Sequence, residues 1–235
     1  MIPLRDDNPA QTVPFVTRGL IVLNVLAFVY ELSLSDGTHE FLRDWGLVPG
    51  RLFAALTGET SLPVELLTLV SSLFLHGGWL HLIGNMWYLW IFGDNVEDRL
   101  GHARFVAFYL FCGTAAALAQ AFVSPSSRVP MVGASGAIAG VMGAYFVMYP
   151  HSRIVTLIPF FFRQVVEVPA VFFLGIWFLM QFLSGVGSIA QVEAGTGGVA
   201  FWAHVAGFVA GVLGGLALRR PERQRPEWWH DVESR

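Results

Sequence analysis

The sequence predicts an all-α membrane protein, a six-transmembrane-helix bundle with both the N- and C-termini in the cytoplasm. Three observations predict this class. The first two are that 54% of the 235 residues are hydrophobic and that only 13% are charged, whereas soluble domains are about 25% charged. A third is the presence of six apolar runs close to the roughly 17–25 residues that cross a bilayer. We predict a six-span domain at 18–218, between an N-terminal cytoplasmic segment at 1–17 and an Arg-rich cytoplasmic tail at 219–235.

The predicted elements follow from these runs in chain order. Residues 1–17 are polar and lack the basic start and apolar core of a signal peptide, so the first span is expected to stay in the mature protein. The connection 36–78 mixes leucines with Gly and Pro breaks and is expected to form short interfacial helices. Its end, 66–75, is apolar enough to extend the second span backwards. The predicted spans are 18–35, 79–96, 103–123, 133–149, 168–185 and 199–218.

The arginines beside the spans predict their orientation, because basic residues concentrate in cytoplasmic loops. With the N-terminus inside, the outer loops carry only Arg43, Arg51 and Arg128. The last outer loop, 185–198, is rich in glycine and is expected to be a mobile lid. The inner segments carry Arg5, Arg18, Arg99, Arg104, Arg153, Arg163, Arg219, Arg220, Arg223, Arg225 and Arg235.

Composition also argues against several kinds of partner. The formal net charge is −3 and no basic face is evident, so we expect no nucleic-acid partner. Cys112 is the single cysteine, which excludes disulfides within the chain and cysteine-based metal sites. His76 and His81 lie five residues apart without an H-E-x-x-H pattern or a clear third ligand. We therefore predict no metal and no cofactor.

Two polar residues in apolar runs carry the functional argument. Ser135 opens the fourth span within Gly133-Ala134-Ser135-Gly136-Ala137, and His204 lies inside the sixth. A hydroxyl and an imidazole in membrane helices are costly without a purpose. The G-x-S-x-G spelling alone is weak evidence, because in soluble hydrolases it follows a strand and here it follows a loop.

The predicted topology brings further polar residues to the same depth. The second, fourth and sixth spans run in one direction, and His81 and Asn85 lie on one face near the start of the second. All four polar side chains are then about one to two turns below the outer surface and can meet. Glycines in the fourth and sixth spans allow close helix packing; they are Gly133, Gly136, Gly140, Gly143, Gly207, Gly211 and Gly215.

Three motifs together resemble the signature of rhomboid intramembrane serine proteases, in the order of that family. They are His76-Gly77-Gly78-Trp79-Leu80-His81-Leu82-Ile83-Gly84-Asn85-Met86, then 133–137, then Ala203-His204-Val205-Ala206-Gly207. The similarity extends over about residues 15–220. It implies a six-helix rhomboid core that hydrolyses transmembrane protein substrates near their membrane segments, in contact with membrane lipids.

The resemblance also implies a role for each motif residue. Ser135 corresponds to the nucleophile and His204 to the general base of a Ser-His dyad. His81 and Asn85 correspond to side chains that hold the oxyanion together with the backbone N–H of Ser135. His76 is expected to support the structure of its turn.

No acid is expected to complete a triad. Asp94 lies nine residues beyond Asn85, or about 13 Å deeper at 1.5 Å per residue. Asp94, Glu97, Asp98 and Arg99 are expected to form the solvated inner end of the second span.

Other interpretations stay open on the sequence alone. Ser135 could pack and bond a carbonyl one turn back, and Asn85 could form an ordinary interhelical hydrogen bond. The whole chain could be a non-catalytic rhomboid-like protein that binds membrane helices for quality control, or a small transporter, although no inverted repeat is evident. Many rhomboids carry Trp-Arg in the first outer loop, and the corresponding stretch here, 65–69, has neither residue.

The remaining expectations concern the fifth span and the location. The aromatic residues of the fifth span either form a lipid-facing or gating surface or simply pack in the bilayer. The resemblance, with a short chain that has arginine and no lysine, implies a multi-pass protein of a prokaryotic inner membrane. The aromatic set is Phe172, Phe173, Trp177, Phe178 and Phe182.

Overall fold

The computed structural model describes residues 1–158, 164–193 and 200–219, and for 189–193 it describes the backbone only. Within these ranges a helix occupies each predicted span, and shorter helices occupy the first connection. The helices are α1 (Phe15–Ser33), α2 (Thr38–Trp45), α3 (Pro49–Leu56), α4 (Leu62–Ser71), α5 (Trp79–Leu100), α6 (His102–Val123), α7 (Ser135–Met148), α8 (Ala170–Glu193) and α9 (Phe201–Leu218).

Length and apolarity separate these helices into three kinds. Among the described residues, α1, α6, Ala170–Ser188 of α8 and α9 are each long and apolar enough to cross a membrane. The α5 helix passes the same test together with Leu62–Phe74, from which it is bent by 80°. The α7 helix is apolar but has only 14 residues. Four helices therefore qualify as spans, or five if the bent pair counts as one, and a sixth span requires α7.

The structure is mostly helical, as predicted, but it also contains three short strands that form an antiparallel sheet, which the all-α prediction did not include. They are β1 (Ile2–Asp6), β2 (Arg153–Ile158) and β3 (Gln164–Pro169), in the order β1-β2-β3. Ile2 pairs with Leu157, and Ile154 pairs with Val168. The β-branched residues of β2 and β3 favour strands, but each segment has only six residues and lies between predicted spans, so it was not predicted as a strand. The sheet brings the N-terminal segment and the α7–α8 connection to the same end of the bundle.

At the C-terminal end of α5, Glu97 is buried, which corrects the prediction that this residue is solvated, whereas Asp94, Asp98 and Arg99 are partly exposed. Glu97 is 0% exposed. Its carboxylate accepts hydrogen bonds from the backbone N–H groups of Val16 (2.9 Å) and Thr17 (2.7 Å). These N–H groups are in the first turn of α1 and have no acceptor within their own helix. Glu97 therefore caps α1 from a neighbouring helix.

Asp6 joins the sheet to the same end of α5. The Tyr145 hydroxyl donates to its carboxylate at 2.6 Å, and the Asn95 amide donates at 2.9 Å. Burial raises the pKa of Asp6 from 3.8 to about 6, and the nearby Asp94 carboxylate adds to the rise, against the lowering effect of the Tyr145 hydrogen bond. The folded protein therefore binds a proton at Asp6 more tightly than the unfolded chain does.

This difference predicts a pH-dependent stability. Between pH 3.8 and about 6, the folded state holds more protons at Asp6, so the free energy of unfolding falls as the pH rises. We expect the unfolding temperature in detergent to fall more steeply over this range in the wild type than in Asp6→Asn, which cannot titrate. Asp36→Asn, which changes an exposed carboxylate, is the control. Equal pH dependence in wild type and Asp6→Asn would contradict the prediction.

The first connection contains short helices, as predicted, and the apolar segment before α5 does not continue that helix straight, because Leu62–Phe74 is bent by 80° from it. The backbone turns between α4 and α5 at 75–78, where Gly78 has a φ of +157° that side-chain-bearing residues rarely adopt. Contacts of Arg51 hold α2, α3 and α4 together in the segment where many rhomboids carry a Trp-Arg pair. Arg51 lies 3.3 Å from the Glu65 carboxylate and donates to the Gly46 carbonyl. Leu47, just before α3, and Met131, just before α7, also exchange backbone hydrogen bonds.

The α7 and α9 helices pack with their backbones in contact. A β-carbon added to Gly207 would overlap the carbonyl oxygen of Gly136, and one added to Gly211 would overlap that of Gly140. Both pairs step four residues along each helix in the same sense, so the two helices are parallel. Small residues at the interface allow this approach. The N-terminal ends of α7 and α9 therefore lie side by side.

Candidate active site

Ser135 and His204 are in hydrogen-bond contact at these adjoining helix ends. Ser135 is the first residue of α7, and His204 is in the first turn of α9. Ser135 Oγ lies 2.8 Å from His204 Nε2. The partner of the Ser135 hydroxyl is thus an imidazole. In the alternative interpretation, the hydroxyl would instead bond a backbone carbonyl one turn earlier in the helix. An imidazole that accepts a hydroxyl proton in this way can act as a general base.

The other ring nitrogen of His204 has a partner on a third helix. Its Nδ1 lies 2.8 Å from Oε1 of Gln181 on α8. An amide oxygen only accepts hydrogen bonds, so Nδ1 carries the proton and Nε2 keeps its lone pair for the Ser135 hydroxyl. The Trp177 ring lies against the same imidazole, with 6.0 Å between ring centroids. His204 is therefore held on two sides by α8.

Asn85 and His81 stand on the α5 side of this pair. The Asn85 amide donates to His76 Nε2 at 3.0 Å, and the His76 and His81 rings are 5.1 Å apart. An amide group has two N–H donors, so the hydrogen bond to His76 orients Asn85 and leaves one donor. His76 is 1% exposed, which fits the expected supporting role of its turn.

Just before α7 begins, the backbone passes close to the His81 ring at Gly133. The φ of Gly133 is +126°, and a β-carbon there would lie 2.6 Å from the His81 ring. Only glycine fits both the backbone conformation and the space. The Gly133 N–H also donates to the Ser72 carbonyl at 2.9 Å. His81 is thus brought next to the loop that leads into Ser135.

A buried carboxylate fixes the histidine turn from α1. Glu31 is 1% exposed and accepts the backbone N–H of His76, with its two oxygens at 3.2 and 3.3 Å. Glu31 therefore supports Asn85 indirectly, through the position of His76.

Sequence reasoning missed two glutamines next to His204. Gln181 is described above, and Gln120 on α6 accepts the backbone N–H of Ala203, the residue before His204, at 3.2 Å. Both are polar residues within predicted spans. The rule that singled out Ser135 and His204, that a polar group in a membrane helix needs a reason, could also have singled out these two.

The α8 helix changes the prediction for the glycine-rich loop. It continues to Glu193, so 185–193 is helical and the predicted loop is wrong there; Gly195, Gly197 and Gly198 lie outside the described residues. The aromatic residues of α8 do not share one surface, because Phe172 is 62% exposed whereas Phe173 is 2% exposed. Arg163 and the tail at 220–235 also lie outside the described residues.

Comparison with known proteins identifies the family. A family model of the Rhomboid domain matches residues 63–221. Rhomboid protein 1, mitochondrial, of Saccharomyces cerevisiae is 30% identical over 165 residues, which are 68% of this chain and 44% of that protein. Rhomboid-like protein 11, chloroplastic, of Arabidopsis thaliana is 30% identical over 155 residues, 61% of this chain and 49% of that protein. Rhomboid protease GluP of Bacillus subtilis is 33% identical over 132 residues, 56% of this chain and 24% of that protein.

These matches support an integral, multi-pass membrane protein. The matched part of the chain spans less than half the length of each of the three relatives. The predicted prokaryotic inner membrane is not supported, because the relatives include proteins named as mitochondrial and chloroplastic. The Rhomboid model covers more than half of the chain, and the chain therefore belongs to the rhomboid family.

Proposed function

We propose that this protein is an intramembrane serine endopeptidase that cleaves membrane-anchored proteins near or within their transmembrane segments. The observation that carries the proposal is the 2.8 Å contact between Ser135 Oγ and His204 Nε2. In the proposed reaction, Ser135 attacks the scissile carbonyl while His204 takes its proton and later gives that proton to the leaving amine. Rhomboid protease GluP, a relative named as a protease, supports this reaction class.

The oxyanion would form beside the first turn of α7. Backbone N–H groups there have no acceptor within the helix, and we assign the oxyanion to the Ser135 N–H together with Asn85 and His81. Two features support the assignment: His76 orients the Asn85 amide, and Gly133 packs against the His81 ring.

Hydrolysis also requires water at Ser135. A 14-residue helix rises about 21 Å, roughly 9 Å less than the hydrocarbon core of a bilayer. If α7 ends level with the inner surface, Ser135 lies below the outer surface with room for water above it. We propose six spans on this basis, with α7 as the short one and both termini in the cytoplasm.

A fluorophosphonate probe tests the dyad without knowledge of the substrate. Such probes react with an activated serine, so the folded protein should be labelled at Ser135, and His204→Ala should prevent labelling while the protein stays folded. His151→Ala, which changes an exposed histidine after α7, is the matched control. Failure to label the folded wild type would favour a non-catalytic rhomboid-like protein that binds membrane helices.

The Asn85 assignment predicts a size of effect. Loss of one oxyanion donor costs about 10²–10³ in kcat in serine proteases, and we expect Asn85→Ala to lower kcat by this factor with little change in KM. An interhelical hydrogen bond alone is worth only about 1 kcal/mol, and its loss would lower the unfolding temperature instead. The matched control is Asn24→Ala, because Asn24 is also buried and bonds a backbone carbonyl within α1. Equal kcat in Asn85→Ala and Asn24→Ala would contradict the role.

A further inference from the structure

The Nδ1 atom of His204 meets a neutral amide, where serine proteases with a triad have a carboxylate. We propose that Gln181 is a positioning residue of the dyad, which fixes the tautomer and the orientation of His204 throughout the reaction. The inference rests on the proposed function, and its geometry is the 2.8 Å contact between Gln181 Oε1 and His204 Nδ1.

The direction of the hydrogen bonds decides whether His204 can act as a base. With Nδ1–H donating to the Gln181 oxygen, Nε2 is unprotonated and accepts from the Ser135 hydroxyl. In the opposite tautomer, Nε2 carries the proton and could only donate to Ser135, so proton abstraction would be blocked. A partner that accepts at Nδ1 therefore selects the reactive tautomer.

Gln181 neither gains nor loses a proton during the proposed reaction. As Ser135 Oγ forms its bond to the carbonyl carbon, its proton moves to His204 Nε2, and the carbonyl electron pair moves to the oxygen. His204 is then an imidazolium with two N–H donors, and the Gln181 oxygen still accepts from Nδ1. When the intermediate collapses, the C–N bond breaks and the Nε2 proton goes to the leaving amine.

The surroundings of Gln181 indicate that this contact is specific. Gln181 lies in an apolar stretch of α8, between Met180 and Phe182. The Gln181 side chain is partly exposed, and its amide oxygen lies at hydrogen-bond distance from His204 Nδ1. Trp177, one turn earlier on α8, lies against the same imidazole. Two side chains on one face of α8 thus limit both the translation and the rotation of the ring.

Two substitutions separate positioning from packing. Gln181→Leu keeps similar volume but removes the acceptor, and we expect kcat to fall by about 10- to 100-fold, the range seen when partners that orient a metal-bound histidine are removed, with little change in KM. Gln181→Glu restores an acceptor and adds a negative charge, which favours the imidazolium. We expect Gln181→Glu to recover much of the activity and to move the acidic limb of the kcat/KM profile to higher pH.

The measurement uses the full chain in detergent or proteoliposomes, with a cleavable transmembrane substrate and with fluorophosphonate labelling rates. Met180→Leu, which changes an exposed neighbour on the same helix, is the control. His81 on α5 also acts electrostatically on His204, so each pH profile is compared with that of the wild type. If Gln181→Leu fails to fold, the pH profile of kcat/KM for Gln181→Glu still tests the positioning role of Gln181.

The outcomes distinguish this inference from the function on which it rests. Unchanged kcat in Gln181→Leu, or an unshifted acidic limb in Gln181→Glu, would overturn the positioning role while leaving the dyad intact. Cleavage that survives Ser135→Ala would overturn the proposed function itself. A lowered kcat in Gln181→Leu, together with a shifted limb in Gln181→Glu, would support the inference, because a residue that only packs would not move the pH profile.

Discussion

Ser135→Ala is expected to lower kcat for a cleavable transmembrane substrate on the order of 10⁴-fold or more, as loss of the nucleophile does in serine proteases. The reason is that Ser135 Oγ is the hydroxyl hydrogen-bonded to His204 Nε2, and alanine has no hydroxyl to replace it. The side chain is small and opens α7, so the fold should survive the change. Single-turnover cleavage of a reconstituted substrate measures the ratio.

A double substitution sharpens this test. Residues that act as one unit show strongly non-additive effects, so Ser135→Ala with His204→Ala should be no slower than Ser135→Ala alone. Ser126→Ala, in the exposed loop before α7, is the matched control and should cleave at the wild-type rate. An additive loss in the double variant would mean that His204 does not act through Ser135.

Gly211→Ala is expected to have the second-largest effect, on stability and activity together. The added β-carbon would lie 2.6 Å from the Cα of Gly140 and would overlap the Gly140 carbonyl oxygen, well inside the 3.5–4.0 Å of normal carbon contact. The obstacle is backbone, which no side-chain rotation relieves. We expect a loss of stability of about 3 kcal/mol or more and a parallel loss of fluorophosphonate labelling, because α9 carries His204.

The control for Gly211→Ala is another helical glycine. A β-carbon on Gly19 in α1 would meet nothing within 4 Å, so Gly19→Ala should be neutral or stabilise by roughly 0.4–1 kcal/mol. The measurement is the unfolding temperature of each variant in the same detergent, together with its labelling rate. A Gly211→Ala protein as stable as Gly19→Ala would mean that the α7–α9 interface can separate at little cost.

The sequence predicted well where a strong periodic or compositional signal existed. Helices occupy all six apolar runs, and the glycines of the fourth and sixth runs predicted the close packing that brings Ser135 to His204. Asn85 and His81 were singled out by the motif, and their role as oxyanion donors stays a prediction. The domain boundaries, which depend on where the membrane lies, stay predictions as well.

The failures have a common physical origin. The strands β1–β3 are stabilised by pairing between segments far apart in the chain, which no local pattern reveals. Glu97 looked solvated because it has charged neighbours in sequence, yet its carboxylate caps a helix that is distant in the chain. Gln181 gave a local signal, a polar side chain in an apolar run, but its partner could be found only from the packing of α8 against α9.

The pairing of β1 with β2 has a consequence for how the protein is made. Asp7 accepts the Arg153 N–H across a separation of 146 residues, so β1 leaves the ribosome long before its partner strand exists. At about 5–20 residues per second, β1 waits on the order of 10 s while the helices α1 to α7 are synthesised. β1 is thus synthesised well before β2 and can pair with it only after α1 to α7 have been made.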